Sequence, residues 1–298
     1  NIIYKKGLGE FFYKNNLDPK NSPKFPHQKN YFSKPTPYTL NPKSLVAIGG
    51  GKDSIVAAEL LKEHHFDFDT FSVQTHKKSD VMNNIAKIIG KKHVVLKRIL
   101  DPKVFDQHPY AGHIPISAIY AFLGIFSAAL YGYTHVIVAN EHSSNFGNLN
   151  YKGLQINHQW SKSFEFEKLF QDYVKNFISP DIMYFSLLRP FYEIRIAKMF
   201  SKMKNYFSYF SSCNSNFVAA ESRGTLRGTA QKLWCCNCAK CVFVFYMLSV
   251  FLPKGDLLKI FGKNLYQEER LLPLFKDILG LGKMKPFDCV GTFQEAQT

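Results

Sequence analysis

The sequence predicts an α/β fold, a parallel sheet with helices on both faces, joined to a small Cys-rich, metal-binding C-terminal segment. From Ser44 onward, short apolar stretches rich in β-branched residues alternate with stretches of helical spacing. That is the pattern of strands covered on both faces. A run of three glycines, Gly49–Gly51, parts the first strand candidate from the first helix. Far downstream, four of the six cysteines fall within positions 235–241.

Residues 1–43 hold several prolines and little periodicity, and read as a loop-like or extended lead-in. There is no initiator Met and Asn1 opens in mid-pattern, which reads as a chain whose upstream part is missing. "SLVAI" from Ser44 is the first strand, and Ile55–His64 has helical spacing. Phe68–Val73 is the second strand, Val81–Gly90 a helix and His93–Leu100 the third strand. The apolar stretch Ile116–Tyr131 is a long helix that leads into a fourth strand, Thr134–Glu141. After Asn176 the rhythm loosens: a helix follows Pro190, "NYFSYFSS" (205–212) reads as a final strand, and Pro273–Gly280 as a closing helix. "RGTLRGT" (223–229) is a local repeat in a loop.

The hydrophobic content of 46% belongs to a folded chain. A net charge of +15, from 38 Lys and Arg against 23 Asp and Glu, calls for an anionic partner. The lysines are scattered rather than blocked, so no nucleic-acid partner is expected. No secretory signal is visible, and the apolar runs Tyr120–Tyr133 and Cys241–Leu252 are shorter than the roughly 20 residues of a membrane span. They read as buried helices of a cytoplasmic protein without a membrane span.

"GGGKDS", Gly49–Ser54, sits where the first strand ends and the first helix begins. Glycines there let backbone N–H groups approach an anion, and the helix N-terminus adds partial positive charge. Lys52 offers a mobile cation, Ser54 a hydroxyl, and Asp53 a carboxylate suited to a divalent metal. Gly49, Gly50, Gly51, Lys52, Asp53 and Ser54 are thus a polyphosphate cradle with a Mg²⁺ ligand. The spacing fits neither the Walker loop nor the dinucleotide fingerprint. It resembles the PP-loop, SGGxDS, of the ATP pyrophosphatases, with Gly49 in place of the first Ser. That resemblance implies an adenine nucleotide alpha-hydrolase-like fold, ATP as the nucleotide, cleavage between its α- and β-phosphates, and adenylation of a substrate.

Cys235-x2-Cys238-x2-Cys241, with Cys213 upstream, supplies four thiolates suited to a tetrahedral structural Zn²⁺. An iron–sulfur cluster uses the same ligands and fits the spacing as well. Cys236, between the ligands, is expected to point away, and Cys289 to be a buried apolar thiol.

Several blocks decide among adenylating enzymes: "GKDSIVAAELL", "GHIPISAIYAF", "VIVANEHSSNFGN", "INHQWSKSFEFE", "SLLRPFYEIRIA", "WCCNCAKCVFVF" and "KPFDCVG". In this order they resemble the UDP-N-acetyl-α-D-muramoyl-L-alanyl-L-glutamate epimerases of bacterial peptidoglycan precursor synthesis. The resemblance spans about residues 44–291 and implies a further region upstream. It implies inversion of the terminal L-Glu of UDP-MurNAc-L-Ala-L-Glu to D-Glu through an acyl-adenylate, with ATP and Mg²⁺, releasing AMP and pyrophosphate. The organisation that follows is a lead-in at 1–43, the remnant of an upstream region, a PP-loop ATP-binding domain at 44–212, and a Cys-cluster subdomain at 213–298. The catalytic candidates are Asp53, Glu141, His158 and Lys162. Glu141 and His142 follow the fourth strand, where open α/β sheets place ligands, and are candidate proton carriers. His158, Ser161 and Lys162 form a polar cluster suited to a phosphate or a carboxylate, and Arg189 reads either as a fork onto a substrate carboxylate or as a brace for a helix start. A 7-cyano-7-deazaguanine synthase-like or tRNA-modifying PP-loop enzyme is the alternative.

Overall fold

The computed structural model describes residues 1–26, 41–75, 80–101, 103, 110, 112–215 and 233–298. Its centre is a five-stranded, wholly parallel sheet built from β1 (Asn41–Ala47), β2 (Phe68–Thr75), β3 (His93–Arg98), β4 (Tyr133–Val138) and a strand at Met183–Ser186. A short antiparallel hairpin, β5 (Leu149–Tyr151) and β6 (Leu154–Ile156), makes the Met183–Ser186 strand β7 in chain order. The sheet order is β3-β2-β1-β4-β7.

Side chains alternate between two cores. Leu45, Phe71, Tyr133, Val136 and Tyr184 face one, while Val46, Phe68 and Ile137 face the other. The inner strands are buried on both faces, whereas Val95 of β3 and Met183 of β7, on the edge strands, are exposed. The first core is covered by α4 (Ile116–Tyr131) and α5 (Phe164–Phe177). At Gly124 of α4, an added Cβ would lie 2.9 Å from the Val136 side chain, so the glycine allows that helix to lie directly on β4. Ser163 caps α5 by accepting the Phe166 N–H at 3.2 Å.

The second core is covered by α2 (Lys52–Glu63), α3 (Asp80–Ile89) and α6 (Glu193–Phe200). The C-terminal helices α7 (Ala239–Ser249), α8 (Lys254–Phe261) and α9 (Leu272–Ile278) join the same cluster through Phe243, Phe245, Leu257 and Phe275. A closing helix, α10 (Phe293–Gln297), carries a capping box between Thr292 and Glu295. Glu295 also accepts the Ser143 hydroxyl at 2.7 Å, which ties the chain end to the loop after β4. Among the described residues, no helix is long and apolar enough to cross a membrane.

Three expectations change. Residues 1–26 are not all loop: a π-helical turn at Ile3–Gly7 leads into α1 (Gly9–Lys14), whose Phe12 is buried. The prolines that signal a loop begin only at Pro19. The segment 205–212 is not a strand but a succession of turns after a 3₁₀ turn at Lys204–Tyr206. Its aromatic residues Tyr206, Phe207 and Phe210 are spaced so that turns, not a pleat, direct them into the second core. The fifth strand is instead β7, too short for a period to be legible. The "RGTLRGT" repeat lies outside the described residues.

Candidate functional site

β1 and β4 are neighbours from which the sheet order runs outward in opposite directions, the switch point at which open α/β sheets bind ligands. The glycine loop follows β1, and Glu141 follows β4. Gly50 has φ of 92°, left-handed backbone that a side chain would strain. A Cβ placed on Gly49 meets nothing within 4 Å, so this part of the loop borders open space. Gly51 caps α2, whose N-terminal N–H groups are thereby turned toward the loop.

Lys52 is not the mobile cation expected. It is fully buried, and its ammonium pairs with Asp53 and with Glu193 at the start of α6. Ser54 is buried and donates its hydroxyl to the Gly51 carbonyl at 3.0 Å, bracing the loop from within. Carboxylate oxygens of Asp53, Glu141 and Glu193 converge to within 4.8 Å of one another. Lys240, at the start of α7, stands 3.6 Å from Glu193. Burial pushes the Glu193 carboxyl up to about 7, Lys52 and Lys240 opposing the shift and the neighbouring Asp53 and Glu141 adding to it. Burial also works against ionising Asp53, but Lys52, Lys240 and Lys162 hold its carboxyl below the ordinary value. Three oxygen donors in a hard-ligand set beside an open glycine loop fit a Mg²⁺ ion carrying phosphates.

A second cluster lies alongside. The turn Lys152–Gly153, with φ of 47° and 78°, closes the β5–β6 hairpin and delivers His158. His158 pairs through Nδ1 with Glu10 of α1, and its ring stands 4.3 Å from that of His113. Lys162 donates from Nζ to Cys289 Sγ at 3.2 Å. Burial opposes the charged form of His158, yet hydrogen bonds to Cys289 and Glu10 raise it to about 9. Burial and the charge on His158 push His113 down to about 4. Ser161 is buried beside Lys162. His142 turns away, its ring against Tyr192 at 4.6 Å.

Arg189 braces more than a helix start. It donates to Glu167 from Nε at 3.1 Å and Nη2 at 2.8 Å, to the Glu141 carbonyl at 2.8 Å, and to the Lys162 carbonyl at 2.6 Å. One guanidinium therefore sets the distance between two of the predicted site residues.

The four cysteines 213, 235, 238 and 241 come together, with Sγ atoms within 4.8 Å of one another. Cys235 and Cys238 lie 3.7 and 3.5 Å from Cys241. Zn–S bonds of about 2.3 Å at tetrahedral angles require S···S separations of about 3.8 Å, so the set fits a Zn²⁺ ion. Cys236 turns away in left-handed backbone, its thiol against the Phe261 carbonyl at 3.3 Å, and burial pushes it up to about 11.

Comparison with known proteins now places the chain. The family profile described as MurL N-terminal domain matches residues 1–187, and the one described as MurL C-terminal domain matches 209–298. The chain belongs to the MurL family. Curated relatives named UDP-N-acetyl-alpha-D-muramoyl-L-alanyl-L-glutamate epimerase are similar over nearly its whole length. That of Xanthomonas oryzae pv. oryzae is 36% identical over 299 residues, covering 99% of this chain and 64% of the relative. That of Salinispora tropica is 35% identical over 300 residues, covering 99% and 63%. The chain thus spans just under two thirds of the relatives it matches. Among solved structures, NH3-dependent NAD synthetase from Campylobacter jejuni is similar at 14% identity and a TM-score of 0.34, over 76% of this chain and 89% of that one. That likeness is too distant to bear on the site. The resemblance read from the sequence blocks therefore holds, while Glu10, His113, Glu193, Lys240 and Cys289 are not among the site candidates expected from it. Cys289 in particular is not an apolar thiol but lies between two cations.

Proposed function

We propose that the chain catalyses, or forms the larger part of an enzyme that catalyses, ATP-dependent epimerisation of the terminal L-Glu of UDP-MurNAc-L-Ala-L-Glu. The observation that carries this is the convergence of Asp53, Glu141 and Glu193 beside an open glycine loop at the sheet's switch point. The names of the MurL relatives supply the substrate class.

A free carboxylate makes the adjacent Cα–H a very weak acid, because its removal would gather negative charge on one small group. Adenylation of that carboxylate removes the charge and leaves a leaving group, after which the Cα proton can be taken. The Gly49–Gly51 N–H groups and the α2 N-terminus hold the phosphates in this reading. Asp53, Glu141 and Glu193 hold Mg²⁺, which neutralises phosphate charge when bound. Lys52 and Lys240 keep the three carboxylates from repelling one another. The proton-handling groups stand in the adjoining cluster of His158 and Lys162. Cys213, Cys235, Cys238 and Cys241 hold a structural Zn²⁺ that fixes α7, and with it Lys240, against the sheet.

The test is pyrophosphate release from ATP and Mg²⁺, with and without UDP-MurNAc-L-Ala-L-Glu, followed by chiral analysis of glutamate after hydrolysis. Substrate-dependent release, D-Glu in the product and loss of both in Asp53→Ala are expected. Release that ignores the substrate, or activity untouched in Asp53→Ala, would contradict the proposal.

A further inference from the structure

Resting on the epimerase reading above, we propose that Cys289 is the base that takes the Cα proton of the activated glutamyl residue, with Lys162 and His158 as positioning residues that hold its sulfur as the thiolate.

The geometry is that of a thiol surrounded by cations. Lys162 Nζ donates to Sγ at 3.2 Å. His158, whose Nδ1 is engaged by Glu10, adds its charge beside the same sulfur. Glu10 thereby plays toward His158 the orienting part that a carboxylate plays behind a catalytic imidazole. The Lys240 ammonium holds the Cys289 carbonyl, and Asp288 accepts the Cys289 N–H at 2.7 Å. Lys240 also faces Glu193, which puts the thiol one residue removed from the carboxylate cluster. The Lys162 ammonium aimed at a neutral thiol would be poorly compensated; aimed at a thiolate it is paired.

The other cysteines do not compete. Cys213, Cys236 and Cys241 are buried, and Cys235 and Cys238 belong to the four-thiol cluster. Cys289 is only partly buried. Burial alone would raise its thiol; Lys162 first, and His158 and Lys240 with it, bring it down to about 7. His158 and Lys162 are both raised by this pairing, so near neutral pH they carry protons and are donors rather than bases. Glu10 is already engaged by His158, and His113 stacks on the His158 ring rather than meeting Lys162; the acceptor that Lys162 holds in this cluster is the sulfur.

The step balances without a further reagent. The Cα–H bond breaks, its electron pair enters the enolate of the activated acyl group, and an S–H bond forms on Cys289. A proton of solvent origin re-enters at the opposite face of the planar carbon, and the thiol returns its proton to solvent.

The full chain is incubated in D₂O with ATP, Mg²⁺ and UDP-MurNAc-L-Ala-L-Glu, and pyrophosphate release and deuterium at the glutamyl Cα are read separately. In Cys289→Ala and Cys289→Ser, deuterium uptake per pyrophosphate released is expected to fall by about 10²-fold or more, the scale of a lost general base. Uptake within fivefold of the parent overturns the role of Cys289 and leaves the adenylation reading standing. No substrate-dependent pyrophosphate release from the parent sinks both. A readout independent of turnover is alkylation of Cys289 by iodoacetamide, located by mass spectrometry. Its rate is expected to reach half-maximum near pH 7 and to shift upward in Lys162→Met, with Lys162, His158, Lys240 and Asp288 as the charged groups around the sulfur. A midpoint at or above the ordinary thiol value of about 8.5 overturns the proposal.

Discussion

Replacing Arg189 by Met tests whether one largely buried guanidinium, its side chain 12% exposed, holds the site together. Its partner Glu167 is 4% exposed, and the pair is closed at 2.8 Å. Removing one member of a buried ion pair leaves the other charged and unpaired, a loss of about 3–5 kcal/mol. The bonds to the Glu141 and Lys162 carbonyls and to Ser144 Oγ, each worth about 1 kcal/mol net, fall away together, so their sum is not added in full. The expected total is about 3–5 kcal/mol, a fifth or more of the roughly 5–15 kcal/mol of an ordinary domain. Urea denaturation followed by tryptophan fluorescence measures it, with Trp160 in one core and Trp234 in the other as reporters. Arg189→Lys keeps the charge but cannot span Glu167 and two carbonyls at once, and is expected to lose about 1–3 kcal/mol. In a double-mutant cycle with Glu167→Gln, the coupling is expected to exceed about 1 kcal/mol. A loss below about 1 kcal/mol in Arg189→Met, or additivity in the cycle, would refute the reasoning.

Protein isolated without added metal is expected to carry close to one equivalent of Zn by elemental analysis, and Cys238→Ala to lose it together with much of its thermal stability; less than a quarter-equivalent in the parent would count against the site. His113 stays neutral in the fold down to about 4, whereas the unfolded chain binds that proton below about 6.5. The unfolded state then holds more protons between those values, so stability falls as pH drops from 6.5 toward 4, by at most roughly 3 kcal/mol. Denaturation midpoints of His113→Asn should be less sensitive to that range than those of the parent, and equal sensitivity would argue otherwise. At the glycine loop, Gly50→Ala is expected to cost about 1–2 kcal/mol through its φ of 92°. Gly49→Ser, whose Cβ meets nothing, should stay within about 0.5 kcal/mol of the parent in the same thermal melt.

The sequence by itself determined the features that local chemistry writes into neighbouring residues. Strands β1 to β4 and helices α2 to α4 were legible because the inner strands are buried on both faces, which leaves apolar runs set off by helical spacing. The glycine loop and the Cys235-x2-Cys238-x2-Cys241 array were legible because an anion cradle and a thiolate cluster each need their residue types at fixed short intervals. The third class of information, who meets whom across the chain, has no local signature. Glu193 reads as an ordinary acid in the first turn of a helix, favoured there by the helix dipole whatever else it does. Only the packing of α6 on α2 sets it against Lys52 and Asp53. Glu10 sits in a segment with no motif, and reaches His158 because α1 lies against β6. Cys289 looked apolar because a lone cysteine usually is; its setting between Lys162 and His158 comes from elements more than a hundred residues away in sequence. A side chain's type fixes the chemistry it can do. Its charge state and its partners depend on burial and on distant neighbours, and the tertiary structure alone supplies both.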